Sequence, residues 1–199
     1  MLGYKQIYGV NMENSFYTIE ELQKIGFKDV GKNCLISKKA SFYGVEKICI
    51  GDNVRIDDFC ILSGVLEIGN YVHIAAYSAL YGGTEGIYVG DFAGVSSRVL
   101  IYAISDDYSG ECMTNPMIPD EYKKLVSGPV NIGKHVIIGC SSVNMPGVTI
   151  GEGCAFGAFS YVNHDPEAWS INVGIPFKKI NNRSHHLLEL EEQFKKALS

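Results

Sequence analysis

Residues 132–162 read IGKHVIIGCSSVNMPGVTIGEGCAFGAFSYV, and their spacing decides the fold. Ile132, Ile138, Ile150, Phe156 and Val162 fall on a six-residue grid, with Asn144 as its one polar member. Working outward, the same grid passes through Ile50, Ile56, Leu62, Ile68, Ile74 and Leu80, then Val89, Val95 and Ile101. Ile/Val-Gly steps recur at Val30, Ile50, Ile68, Val89, Ile132, Ile138 and Ile150, and the 50–68 and 132–150 intervals are each 18 residues. Three short strands per turn, each with one inward aliphatic residue, is the hexapeptide pattern of a parallel β-helix. Stacking at ~4.8 Å demands an apolar inward residue of similar size in every coil. Glycine and small residues are expected at the corners, where positive φ is tolerated. A helix is excluded, because a six-residue period makes no single face on a 3.6-residue turn.

Departures from 18 locate insertions. The 30–50 interval is 20, which predicts a two-residue bulge near Val45–Ile48. The 68–89 interval is 21, placing three extra residues in YGGTEGI, residues 81–87. The 89–132 interval is 43, one coil plus 25 residues, and throws an excursion at about 105–129 (SDDYSGECMTNPMIPDEYKKLVSGP). A long loop leaving a regular coil is a place to look for function. Thr18 and Glu21 form a capping box ahead of a short helix that stops at Gly26, and Ser184 caps a second helix running to about Leu198. The division read from the chain is an N-terminal segment 1–29, a β-helix domain 30–183 of about six coils, and a C-terminal helix 184–199. The fold class is therefore all-β.

Composition bounds the function. The chain has 199 residues with 46% hydrophobic and 20% charged, enough for one large domain with a real core. A net charge of −5 argues against a nucleic-acid or anionic-membrane partner. No stretch approaches the ~20 apolar residues of a membrane span, and MLGYKQIYGV lacks the layout of a secretory leader. Cys34, Cys49, Cys60, Cys112, Cys140 and Cys154 show no zinc spacing and read as reduced thiols of a cytoplasmic protein. No metal is expected, since three converging histidines are lacking.

The 132–162 run followed by WSINVGIPFKKI, residues 169–180, strongly resembles the hexapeptide-repeat acyltransferases that acylate sugars. The excursion DDYSGECMTNPMIPDEYKK is similar to the sugar acetyltransferase branch used for bacterial surface polysaccharides, lipopolysaccharide included. The resemblance covers about residues 30–183. It implies a left-handed coil, a homotrimer with active sites between subunits, and acetyl-CoA or another acyl-CoA as donor. By that resemblance, Cys140 and Ala158, one coil apart, are the small residues along which the pantetheine arm lies, with Asn163 and His164 on the same edge. Lys178 and Arg183 are candidates for the coenzyme's phosphates, with Lys179 an equal alternative.

One departure bears on the chemistry. Relatives that acylate hydroxyls begin the excursion with a histidine base; here that place holds Asp106, beside Asp107. A carboxylate of pKa ~3.9 is a weak base at neutral pH. A sugar amine with a substantial neutral fraction needs only orientation, and a leaving thiolate of pKa ~8.5 can take its proton. The expectation is N-acylation of a nucleotide-linked amino sugar, with Asp106 orienting the amine and Ser96 assisting. Asp107, Tyr81, Thr84 and His73 are candidates for acceptor binding. Two rivals stay open: an O-acetyltransferase using His73 or a neighbour's residue as base, and a scaffold subunit without chemistry.

Overall fold

The computed structural model describes residues 15–198; the first fourteen residues, on which the leader reading rests, and Ser199 lie outside the described residues. Helix α1 (Ile19–Ile25) starts at the expected cap. The Thr18 hydroxyl accepts from the Glu21 amide at 3.2 Å, and the Glu21 carboxylate accepts from the Thr18 amide at 2.8 Å. Gly26, at φ 87°, ends the helix.

The chain then coils around three faces. Face 1 stacks β1 (Asp29–Val30), β4 (Ile48–Ile50), β7 (Leu66–Ile68), β10 (Ile87–Val89), β15 (Val130–Ile132) and β18 (Thr149–Ile150). Face 2 stacks β2 (Leu35–Ile36), β5 (Arg55–Ile56), β8 (His73–Ile74), β11 (Gly94–Val95), β16 (Ile137–Ile138), β19 (Ala155–Phe156) and β21 (Ser170–Val173), then the antiparallel β22 (Lys178–Asn182). Face 3 stacks β3 (Ser41–Tyr43), β6 (Ile61–Ser63), β9 (Ala79–Tyr81), β12 (Leu100–Tyr102), β17 (Val143–Asn144) and β20 (Tyr161–Val162). The result is a left-handed parallel β-helix of about seven turns. It exceeds the six coils counted from sequence because β21 continues face 2 past the last aliphatic rung.

Every residue of the six-residue grid points inward and is at most 4% exposed, Asn144 included. Asn144 Nδ2 donates to the Leu100 carbonyl at 3.5 Å, so its amide is held by the coil below. Each aliphatic rung stacks on its like, and full burial of one such side chain contributes about 1.5–3 kcal/mol.

The corners differ from the expectation of glycine and small residues. Tyr71, Phe92, His135 and Trp169 on the face 1–2 edge, and Phe59, Tyr77, Arg98 and Phe159 on the face 2–3 edge, hold φ between 57° and 64°. Left-handed backbone costs these bulky residues roughly 1–2 kcal/mol each. Ring stacking up the edge offsets it: Tyr71 lies 5.0 Å from Phe92, and Phe92 5.1 Å from His135. Helix α2 (His186–Leu198) covers this ladder, with the Ser184 hydroxyl accepting from the His186 amide and Phe194 set edge-on to Tyr71.

The insertions fall where the arithmetic placed them. Val45–Lys47 forms a short 3-10 turn and residues 82–86 a loop after β9. The excursion opens as an antiparallel hairpin of β13 (Ile104–Asp106) and β14 (Leu125–Ser127), then rejoins the coil at β15.

Candidate active site

The face 2–3 edge carries a rail of small residues. Register pairs Gly94 with Ile137 and Ile137 with Ala155, so Ser96, Gly139 and Gly157 form one column and Ser97, Cys140 and Ala158 the next. Ser96, Gly139 and Gly157 donate their amides to Ile138, Phe156 and Asn172 at 2.8–3.0 Å. The amides of Cys140 and Ala158 meet no acceptor among the described residues, and both residues are exposed. A Cβ on Gly139 would lie 2.6 Å from the Ala158 nitrogen, so only glycine permits this approach of the two coils. Exposed amides one ~4.8 Å rung apart suit a thin chain of alternating amide groups.

At the upper end of the rail β21 pairs Val173 with Lys178 of β22. Lys178 is exposed and makes no ion pair among the described residues, whereas Lys179 bonds Glu167 at 2.7 Å. Four strand spacings, about 19 Å, separate the Ser96 rung from β22.

Asn163 and His164 do not share this edge. They follow β20, one face further round, where His164 stacks on Phe177 at 4.2 Å and its Nδ1 donates to Asn163 Oδ1 at 2.9 Å. The interval from Ala158 to Asn163 is nearly one hexapeptide, which carries the chain across a whole face. Arg183 lies on the face 1–2 edge instead, because β22 runs back along β21 and pairs Asn182 with Ser170. Its Nη1 donates to the carbonyls of His135, Gly153 and Cys154 at 2.6, 3.1 and 3.3 Å. That guanidinium clamps the coil's edge.

At the excursion root, Asp106 is half-buried and pairs with Leu125 across the hairpin. Asp107 accepts from the Ser109 amide at 2.8 Å, and that bond holds its carboxyl below the usual range; it caps a local turn. Tyr81 and Tyr102 stack at 5.1 Å on the outer side of face 3, directly below the hairpin. Burial pushes the Tyr102 hydroxyl up, as do the neighbouring Tyr81 and Tyr108. Thr84 is exposed in the loop after β9. Tyr102 was missed in the sequence reading, although its 21-residue interval from Tyr81 equals the 68–89 interval and set the two in one column.

His73 lies on the outer side of face 2, paired with Arg55 below and Gly94 above. Its Nε2 meets Asp57 Oδ2 at 2.8 Å, and Arg55 Nε donates to Asp57 Oδ1 at 2.7 Å. Burial pushes the Asp57 carboxyl up, but the bonds from His73 and Arg55 outweigh it and hold it low. This triad stitches two coils together. Among the described residues no His, Cys, Asp and Glu group could hold a metal ion, and no helix is long and apolar enough to cross a membrane.

Comparison with known proteins places this geometry. No family model matches the chain. The chain is 53% identical over 178 residues to an Escherichia coli dTDP-4-amino-4,6-dideoxy-D-glucose acyltransferase, covering 88% of this chain and 92% of that protein. The chain belongs to the CoA-dependent N-acyltransferases of nucleotide-linked amino sugars. AntD, an N-acyltransferase from Bacillus cereus, is 55% identical with a TM-score of 0.91, covering 92% of this chain and 99% of its own. It was solved with dTDP-4-amino-4,6-dideoxyglucose and coenzyme A, and also with dTDP and 3-hydroxybutyryl-CoA. A more distant relative, 29% identical over 161 residues and covering 76% of this chain and 77% of its own, is a putative lipopolysaccharide biosynthesis O-acetyl transferase of E. coli K12.

Proposed function

We propose that the chain transfers an acyl group from acyl-CoA to the 4-amino group of dTDP-4-amino-4,6-dideoxyglucose. The observation that carries the reading is the pair of unsatisfied amides at Cys140 and Ala158, leading from Lys178 down to Ser96. The pantetheine arm lies on those amides, and Lys178 meets a coenzyme phosphate. Asn163 and His164 lie past the end of face 3, a whole face from the rail, and are left out of the donor site. Arg183 supports the coil.

The amine nitrogen attacks the thioester carbonyl, the C–S bond breaks, and the amine's proton passes to the departing thiolate, leaving an amide and a free thiol. Asp106 accepts a hydrogen bond from the amine and aligns its lone pair. The Ser96 hydroxyl, half-buried and without a partner among the described residues, steadies the reacting groups. The solved forms of the B. cereus enzyme include substitutions of a serine and of an aspartate ten residues apart, the interval between Ser96 and Asp106. Tyr81 and Thr84 line the acceptor side, and His73 with Asp107 support it from the scaffold.

Ser96 follows the end of β11, whereas Asp106 ends β13, so the whole of β12 stands between them. A site using both is completed by a second copy of the chain, which supports a homotrimer with active sites at its interfaces. A nucleotide-sugar acceptor fits a cytoplasmic enzyme, and the lipopolysaccharide relative fits a role in surface polysaccharide synthesis. The test is mass spectrometry of the product from acetyl-CoA or 3-hydroxybutyryl-CoA and the 4-amino sugar nucleotide. An amide-linked acyl group supports the reading; an unchanged acceptor overturns it.

A further inference from the structure

Ser78 is fully buried, and the pairing of Ala79 with Leu100 sets it directly beneath Val99. Its hydroxyl is used in both directions. It accepts from the Val99 amide at 3.2 Å and donates to the Ser96 carbonyl at 2.8 Å. Ser96 and Val99 are the two ends of the four-residue turn between β11 and β12, whose third residue, Arg98, holds φ at 62°. Such a turn commonly closes by a bond from its last amide to its first carbonyl. Among the described residues these two groups meet the Ser78 hydroxyl instead of each other. The Ser96 amide is held as well, donating to the Ile138 carbonyl at 3.0 Å. With both backbone groups of Ser96 fixed to neighbouring coils, the direction of its Cα–Cβ bond is set. Only rotation about χ1 is left to its hydroxyl.

The fold does not dictate this contact. Rung by rung, the column through Ser78 holds Ala40, Cys60, Ser78, Val99, Ser142 and Ser160. The Cys60 Sγ reaches only the carbonyl side of its turn, at Ala75, 3.2 Å away. Ser142 makes the same pair of bonds as Ser78, to the Gly157 carbonyl and from the Ser160 amide. The coil thus accepts alanine, valine, a thiol or a hydroxyl here, and places bridging hydroxyls under the two turns that carry Ser96 and Ala158. We propose that Ser78 is a positioning residue for acyl transfer, holding the 96–99 turn so that the Ser96 hydroxyl meets the reacting groups. The inference rests on the reading in which Ser96 steadies those groups. Without the Ser78 hydroxyl, the Val99 amide and the Ser96 carbonyl are free to bond to each other, which tightens the turn and swings the Ser96 side chain.

The experiment compares Ser78→Ala, Ser78→Val and Ser78→Cys with the parent, each alone and combined with Ser96→Ala. Alanine and valine remove the hydroxyl with side chains the column already holds at Ala40 and Val99, and cysteine restores a donor, as at Cys60. Thiol release from acetyl-CoA with dTDP-4-amino-4,6-dideoxyglucose gives kcat and both KM values, with melting temperature as the folding control. In Ser78→Ala, kcat is expected to fall about tenfold with both KM values within about twofold of the parent. Ser78→Cys is expected to recover kcat to within about threefold. In the Ser96→Ala background the same substitutions are expected to change the remaining rate by less than about twofold, because their effect passes through the missing hydroxyl. A parental kcat in folded Ser78→Ala, or an equal tenfold fall in the Ser96→Ala background, would overturn the proposal. If Ser78→Ala fails to fold, Ser78→Val decides by the same readings. A parent that releases no thiol with amino-sugar nucleotides, or a Ser96→Ala variant at the parent's rate, defeats the reading beneath the proposal and the proposal with it. Those two measurements are made before Ser78 is changed, so the two failures are told apart.

Discussion

Asp106 leaves the coil one sheet further along the chain than Ser96, with the whole of β12 between the hydroxyl and the carboxylate. If the site joins Ser96 of one copy to Asp106 of another, two inactive variants complement. Ser96→Ala and Asp106→Asn are each expected to be strongly impaired. Mixed and reassembled in equal amounts, random trimers regain both groups at about one site in four. Recovery of activity on mixing checks this; two residues acting within one chain would give none.

Asp106→Asn keeps the shape of the carboxylate but exchanges one acceptor oxygen for a donor. Turnover is expected to fall about 100-fold through loss of amine alignment, with acyl-CoA KM unchanged. Steady-state kinetics with each substrate varied in turn check the split. An unchanged turnover number removes Asp106 from the mechanism.

Ala158→Trp places a large ring over the exposed amides of the rail. Acyl-CoA KM is expected to rise at least about tenfold while the melting temperature holds, since Ala158 packs against nothing in the core. A parallel change at Arg183 gives the opposite signature. Arg183→Ala frees three carbonyls at the opposite edge and is expected to lower the melting temperature with little effect on acyl-CoA KM.

Glu191 fixes helix α2 to the aromatic ladder through Lys134 and His135 at 2.6 Å, and pairs within the helix with Lys195 at 2.5 Å. Burial alone pushes its carboxyl up, but the bonds from Lys134, Lys195 and His135 together overcome it and hold it down to about 2. A depressed carboxylate stabilises the fold fully above its unfolded value near 4.5 and loses that contribution as pH falls toward 2. Glu191→Gln is expected to cost about 2 kcal/mol at pH 7. It should also flatten the loss of stability between pH 4.5 and 2, as read by denaturant titrations at both ends of that window.

The coil was legible because its inward rungs are a one-dimensional record: every member of the six-residue grid is buried, and the interval excesses mark each insertion. The place of the excursion followed from the same arithmetic, whereas Cys140 and Ala158 were singled out by the resemblance and the register shows only that they stand one coil apart. What escaped is set by how the chain turns. Asn163 and His164 were put on the wrong edge because a five-residue step was read as a continuation rather than a face. Arg183 was misplaced because the reversal of β22 leaves no trace in a parallel repeat. The bulky left-handed corners were invisible because stacking between coils, and not local propensity, holds Tyr71, Phe92 and His135 there.

The most direct test of N-acylation pairs two acceptors that differ in one atom. Thiol release from acyl-CoA is followed with dTDP-4-amino-4,6-dideoxyglucose and with its 4-hydroxyl counterpart. The expected result is one thiol per amide formed with the amine and background release with the alcohol. Thiol release with the alcohol and none with the amine would contradict the account.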